Sequence, residues 1–147
     1  VVTVASLIEE ECRVDEERPL VAAVIYNRLK AGMPLDLDST LQYALGKYGE
    51  RILNEDKETD SPYNTYRRKG LPPGPISNPG VACLRAALQP AEEDYLFFVS
   101  NADGKTHTFS TTMNEHAEAV RRFRREIAVQ RRELRDRETR GEENDAQ

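Results

Sequence analysis

No apolar run in this chain approaches the roughly 18 consecutive residues that suggest a membrane span, and no basic-then-apolar segment opens it as a secretory leader would. As it stands, the chain reads as a soluble piece. Clustered basic residues are also missing from most of it. Nine arginines and four acids fall between Arg121 and Arg140 and three acids follow, so residues 1–120 carry net −7 against −5 for the whole chain. Phosphate neutralisation needs clustered Lys and Arg, which argues against a nucleic-acid surface on the body. The Arg-rich stretch is the exception. There is no internal repeat and no low-complexity linker, and 147 residues are enough for one core but not for two large ones. Val1 is neither an initiator Met nor preceded by a cap, although a helix is already under way, so we expect an excised fragment.

What is present points to a mainly helical α+β domain. Helices are expected from Val2 to Arg13 and from Glu16 to Ala31, the second carrying Pro19 in its first turn, where a missing N–H costs little. Gly32 and Pro34 end it. A shorter helix is expected to start at Ser39 or Thr40, capped by either hydroxyl, and to end at Gly46. Residues 47–80 read as a long loop rich in Pro, Gly and Asn, and such loops in compact domains usually carry function. Asn78-Pro79-Gly80 opens a helix through Leu88. Tyr95–Ser100 and Thr106–Ser110 flank the turn residues Asn101–Gly104 as a small antiparallel hairpin. Thr112 and Glu115 fit a capping box for a long C-terminal helix whose apolar positions thin out, with a frayed or disordered tail expected from about Arg135.

Three carboxylates close the first helix. Val4, Leu7, Ile8 and Glu11 share one face by the i, i+3, i+4, i+7 rule, and Ala5 and Glu9 lie on the neighbouring stripe. At least one carboxylate therefore borders the core, and a carboxyl among apolar neighbours stays protonated to higher pH, as a general acid requires. The plainer alternative is a solvated helix rim, which is how Glu10 reads.

Ala22–Leu29 is an apolar helix running into Asn27 and Arg28, and Tyr63-Asn64-Thr65-Tyr66 is followed by the proline-stiffened GLPPGPISNPG from Gly70 to Gly80. With ASLIEEE, VAAVIYNRL, GMPLDLDSTLQYALG, SPYNTY, YLFFV and HTFS in order along Val4–Val120, the chain resembles the catalytic domain of the endolytic murein transglycosylase (MltG or YceG-like) family. The resemblance implies an enzyme that cuts peptidoglycan glycan strands between N-acetylmuramic acid and N-acetylglucosamine, leaving 1,6-anhydro-muramyl ends, with no cofactor and no metal. It maps the catalytic glutamate onto Glu9. One carboxyl suffices for such chemistry: it protonates the leaving oxygen, then removes the proton from the muramyl C6 hydroxyl as that oxygen attacks the anomeric carbon. The absence of a clear second catalytic acid is then expected.

Around Glu9 the expected substrate contacts are Asn27, Asp38, Tyr63, Asn64 and Tyr66. Aromatic faces suit sugar rings, and Asn offers both donor and acceptor. Asp38 reads equally well as the cap of the following helix, and the YNTY segment as a turn covering the core. Glu11, Arg28 and His107 are expected to support the site from behind, Glu11 partnered by Arg28. His107 and His116 make no metal motif without a third ligand. The family pattern has Gln in place of Asp36, Pro in place of Ser39 and Asn in place of Ala117. Cys12 and Cys83 stand where it has small hydroxyl residues, which suggests a disulfide tying the first helix to the Pro79 helix, with two independent thiols as the alternative.

The expected arrangement is a catalytic domain over residues 1–134, lacking an N-terminal anchor and a LysM-like module, and a charged tail over 135–147. The resemblance places the full-length protein on the extracytoplasmic face of the bacterial inner membrane, in contact with the membrane through that anchor, with glycan strands and cell-wall synthesis proteins as partners and no nucleic acid. Two further readings stay open: a non-catalytic peptidoglycan-binding or scaffolding domain, and an Arg121–Arg140 helix that meets an acidic partner. For that helix, interspersed glutamates favour internal salt bridges facing solvent.

Overall fold

The computed structural model describes residues 1–146. Its architecture is α+β and mainly helical, as the sequence pattern predicts. The element order is α1 (Val2–Glu11), a 3-10 turn (Asp15–Glu17), α2 (Arg18–Ala31), α3 (Asp38–Leu45), a second 3-10 turn (Asp56–Glu58), α4 (Val81–Leu88), β1 (Phe97–Ser100), β2 (His107–Ser110) and α5 (Met113–Asp145).

Helix α1 is the centre of the fold. Val4, Ala5, Ser6, Leu7 and Ile8 are all buried, which a helix achieves only when covered on several sides. It packs against α4, α2 and α3. Val21, Ala22 and Ile25 of α2, with Cys83, Ala86 and Ala87 of α4, complete the core. Ser6, the polar residue in this run, is satisfied locally and across the fold: its Oγ donates to Thr3 O at 2.6 Å and accepts from Ile76 N at 3.1 Å. The proline-rich loop is thereby docked on α1, reinforced by Ser77 Oγ donating to Ser6 O at 3.0 Å.

Helix α2 ends as expected, with Gly32 in the left-handed region at φ 68°, where a Cβ would be strained. Helix α3 departs from expectation. It begins at Asp38, with Leu37 as its N-cap and no side-chain cap. Neither hydroxyl caps it, because Ser39 Oγ donates to Glu11 Oε1 at 2.6 Å and Thr40 Oγ1 donates back to Leu37 O at 2.8 Å.

The hairpin is antiparallel, pairing Phe97 with Ser110 and Ser100 with His107. Thr112 caps α5 by accepting from Glu115 N at 3.2 Å, while Glu115 Oε2 reaches back to Thr111 N rather than to the cap residue, at 3.3 Å. Helix α5 continues to Asp145 and so runs through most of the expected charged tail, of which Gln147 lies outside the described residues. Its early turns pack on both strands, and Arg, Glu and Leu are good helix formers that carry it onward. Among the described residues, no helix is long and apolar enough to cross a membrane.

Candidate active site

The end of α1, the start of α3, the YNTY segment and the hairpin enclose two adjoining cavities. The larger, about 370 Å³, is lined among others by Glu11, Arg28, Asp38, Tyr66, His107 and His116. The smaller, about 240 Å³, shares Glu11, Asp38, Ser100 and His107. Together they form one groove with Glu11 at the junction.

Glu11 is the carboxyl that the i, i+3, i+4, i+7 pattern carries onto the buried face of α1. Burial pushes its pKa up; nearby Asp38 adds to the rise, while the Ser39 hydrogen bond and His107 oppose it. A carboxyl with these surroundings can stay protonated where an ordinary glutamate has ionised. Its expected partner Arg28 is elsewhere, a correction with a clear cause. Arg28 is committed to the loop before α3 and to the segment before β1, donating from NH1 to Pro34 O at 2.9 Å, pairing with Asp36 at 3.7 Å and donating from Nε to Leu96 O at 2.6 Å. Asp36 sits at φ 52°, a left-handed conformation that Asp tolerates better than most side chains.

Glu9 lies on the other side of α1. Two residues along a helix turn a side chain through about 200°, and Glu9 lines neither cavity of the groove. Its Oε2 instead accepts from the Cys83 thiol at 2.8 Å and lies 3.8 Å from Arg18. The disulfide expected between Cys12 and Cys83 is not formed, and both are free thiols. Each sulfur has another partner: Cys83 faces Glu9 and Arg18, and Cys12 donates to Val14 O at 3.2 Å. Burial, followed by the hydrogen bond to Glu9, raises the Cys83 thiol to about 12.

The expected substrate contacts divide. Tyr66 and Asp38 line the groove and are hydrogen-bonded to each other, Tyr66 donating to Asp38 Oδ1. Burial and that bond hold the Tyr66 hydroxyl protonated well above its ordinary range. Asp38 is the first residue of α3, not its cap. Asn64 is fully buried and is a staple: Nδ2 donates to Lys57 O at 2.9 Å and Thr59 O at 2.8 Å, and Oδ1 accepts from Tyr66 N at 3.0 Å. Tyr63 packs on Tyr43, ring centroids 4.9 Å apart. Asn27 ties α2 to the segment before β1, donating to Glu93 O and Tyr95 O at 2.7 and 2.9 Å. None of these last three lines the groove.

His107 is at the site, and its partner is a residue that the sequence pattern did not single out. Glu17, buried in the 3-10 turn, accepts from His107 N at 2.8 Å and faces His107 Nδ1 at 3.0 Å. A carboxylate only accepts, so Nδ1 carries the proton and Nε2 is left to face the groove. No periodicity marks Glu17, since its partner lies 90 residues away. His116 stacks on Phe97 at 5.0 Å, and its Nδ1 is buried without a hydrogen-bond partner; burial, then Arg28, lowers its pKa. No group of three or more His, Cys, Asp or Glu among the described residues is arranged to hold a metal ion.

Comparison with known proteins places these residues in context. The sequence model of the YceG-like family matches residues 1–122. An endolytic murein transglycosylase of Bacillus subtilis (strain 168) is 48% identical over 121 residues, covering 82% of this chain and 33% of that protein. One of Streptococcus pneumoniae serotype 2 (strain D39) is 38% identical over 120 residues, covering 78% and 22%. The crystal structure of a yceG-like protein from Listeria monocytogenes superposes with a TM-score of 0.76 at 46% identity, covering 79% of this chain and 38% of that one. The chain thus spans a third or less of the curated relatives' length.

Proposed function

Since this chain belongs to the YceG-like family, we propose that it is the catalytic portion of a lytic transglycosylase acting on peptidoglycan glycan strands, with Glu11 as the acid and then the base. The observation that carries this reading is the position of Glu11 at the junction of the two cavities, with a pKa raised by burial. Relatives that are endolytic murein transglycosylases support the substrate class.

Protonated Glu11 donates its proton to the oxygen linking N-acetylmuramic acid to N-acetylglucosamine, and the bond from that oxygen to the anomeric carbon breaks. The Glu11 carboxylate then takes the proton of the muramyl C6 hydroxyl as its oxygen bonds to the anomeric carbon, closing the 1,6-anhydro ring and restoring the acid. Ser39 holds Oε1, which leaves Oε2 for the transfers. Asp38, Tyr66 and His107 Nε2 supply acceptors and donors along the groove for sugar hydroxyl and acetamido groups. Such a substrate places the working domain outside the cytoplasmic membrane.

Digestion of purified peptidoglycan by the parent, Glu11→Gln and Glu9→Gln, followed by mass spectrometry of the released muropeptides, tests this. Anhydro-muramyl products from the parent and Glu9→Gln but not from Glu11→Gln are expected. Products lost only in Glu9→Gln would return the catalytic role to Glu9. Reducing ends would indicate a hydrolase, and no cleavage by the parent would favour a binding module.

A further inference from the structure

Among the described residues, none of the nine arginines between Arg121 and Arg140 forms a salt bridge, despite the acids interspersed in sequence. At about 100° per residue, Arg121, Arg124, Arg125, Arg131, Arg132 and Arg135 fall within an arc of about 120°, whereas Glu126 and Glu133 lie well outside it and Asp136 and Glu138 lie about 20° beyond its two edges. The result is an exposed basic strip about 21 Å long.

The strip is aligned with the groove. Met113 and His116, in the first turn of α5, line the larger cavity. Arg124, Arg131 and Arg135 recur within about 40° of the direction of Met113 along the same helix. A polymer leaving the groove along α5 therefore meets one guanidinium after another.

We propose that this strip extends the groove and binds carboxylates on the peptide branches of the glycan strand; the inference rests on the proposed substrate. Arginine forks suit carboxylates. A bilayer surface fits less well, because Ala128 is the only apolar side chain within the arc and Phe123, Ile127 and Leu134 point about 90° or more from its centre. Nucleic acid fits less well because the strip has no aromatic side chain for base stacking.

Binding is measured by co-sedimentation with glycan strands freed of phosphate polymers, using the non-cleaving Glu11→Gln protein so that the strands stay intact. Replacing Arg124, Arg131 and Arg135 with Gln is expected to weaken binding roughly tenfold and to flatten its salt dependence, while Lys at the same positions preserves both. Amidase-treated strands without peptides are expected to bind the parent as weakly as intact strands bind the Gln variant. Equal binding by the Gln variant and its parent, or undiminished binding to stripped strands, overturns the inference. Capture by anionic vesicles but not by strands also overturns it, assigning the strip to lipid. Because binding is read without cleavage, an inactive parent would count against the proposed function alone.

Discussion

Ser39 on α3 donates to Glu11 Oε1 on α1 at 2.6 Å, joining the two helices at the point where the groove divides. The bond orients the carboxyl and lowers its pKa somewhat, yet burial outweighs it and the net direction is upward. The chemistry that the site offers depends on that balance.

Glu11→Gln is expected to cut turnover at least about 100-fold, in line with the loss of a general acid, while Glu9→Gln retains most of it. Stability should move the other way. A carboxyl with a raised folded-state pKa contributes stability while protonated, and that contribution is lost as pH rises through the folded pKa. Glu11→Gln should therefore raise the melting temperature at neutral pH and lose that advantage in acid. Scanning calorimetry across pH checks this.

Asp38→Asn removes a charge that raises the pKa of Glu11. The alkaline limb of the pH–rate profile, where the acid loses its proton, should then move to lower pH. A profile displaced upward would show that Asp38 does not act on Glu11 in this sense.

Asn64→Ala should destabilise the fold by about 1–3 kcal/mol, because two half-buried carbonyls and the Tyr66 N–H lose their partner together. Urea unfolding measures it. Asn64→Asp should be at least as damaging, since its carboxylate would face the Lys57 and Thr59 carbonyls without a donor.

Glu17→Ala should cost about 1.5–3 kcal/mol by removing a charged acceptor from the backbone and ring of His107. Turnover should fall with it, as the hairpin wall of the groove loses its tie to the turn before α2. Chemical denaturation and steady-state kinetics on the same preparation separate the two effects.

Under native conditions a bulky thiol reagent should react slowly with both cysteines, and after denaturation it should titrate two thiols. Cys83 is fully buried with its thiol raised to about 12, and burial likewise raises Cys12. Failure to recover both thiols from unreduced protein would mean that the pair is bonded after all.

Local patterns in the sequence were enough for the helices, the hairpin and the approximate ends of α1 to α4, because apolar periodicity, Pro19, Gly32 and Gly46 act over a few residues. The same periodicity placed Glu11 on the buried face of α1. What it lacked was any measure of which carboxylate faces the groove, since this central helix is covered on several sides, by α4, α2 and α3. Asn64 and Tyr66 look alike as polar loop residues, yet one is sealed inside and the other lines the site. Glu17 gains its role from a histidine 90 positions away. Partners at that separation meet only when the core brings them together, so pKa, burial and which of Glu9 and Glu11 lines the groove belong to the tertiary structure.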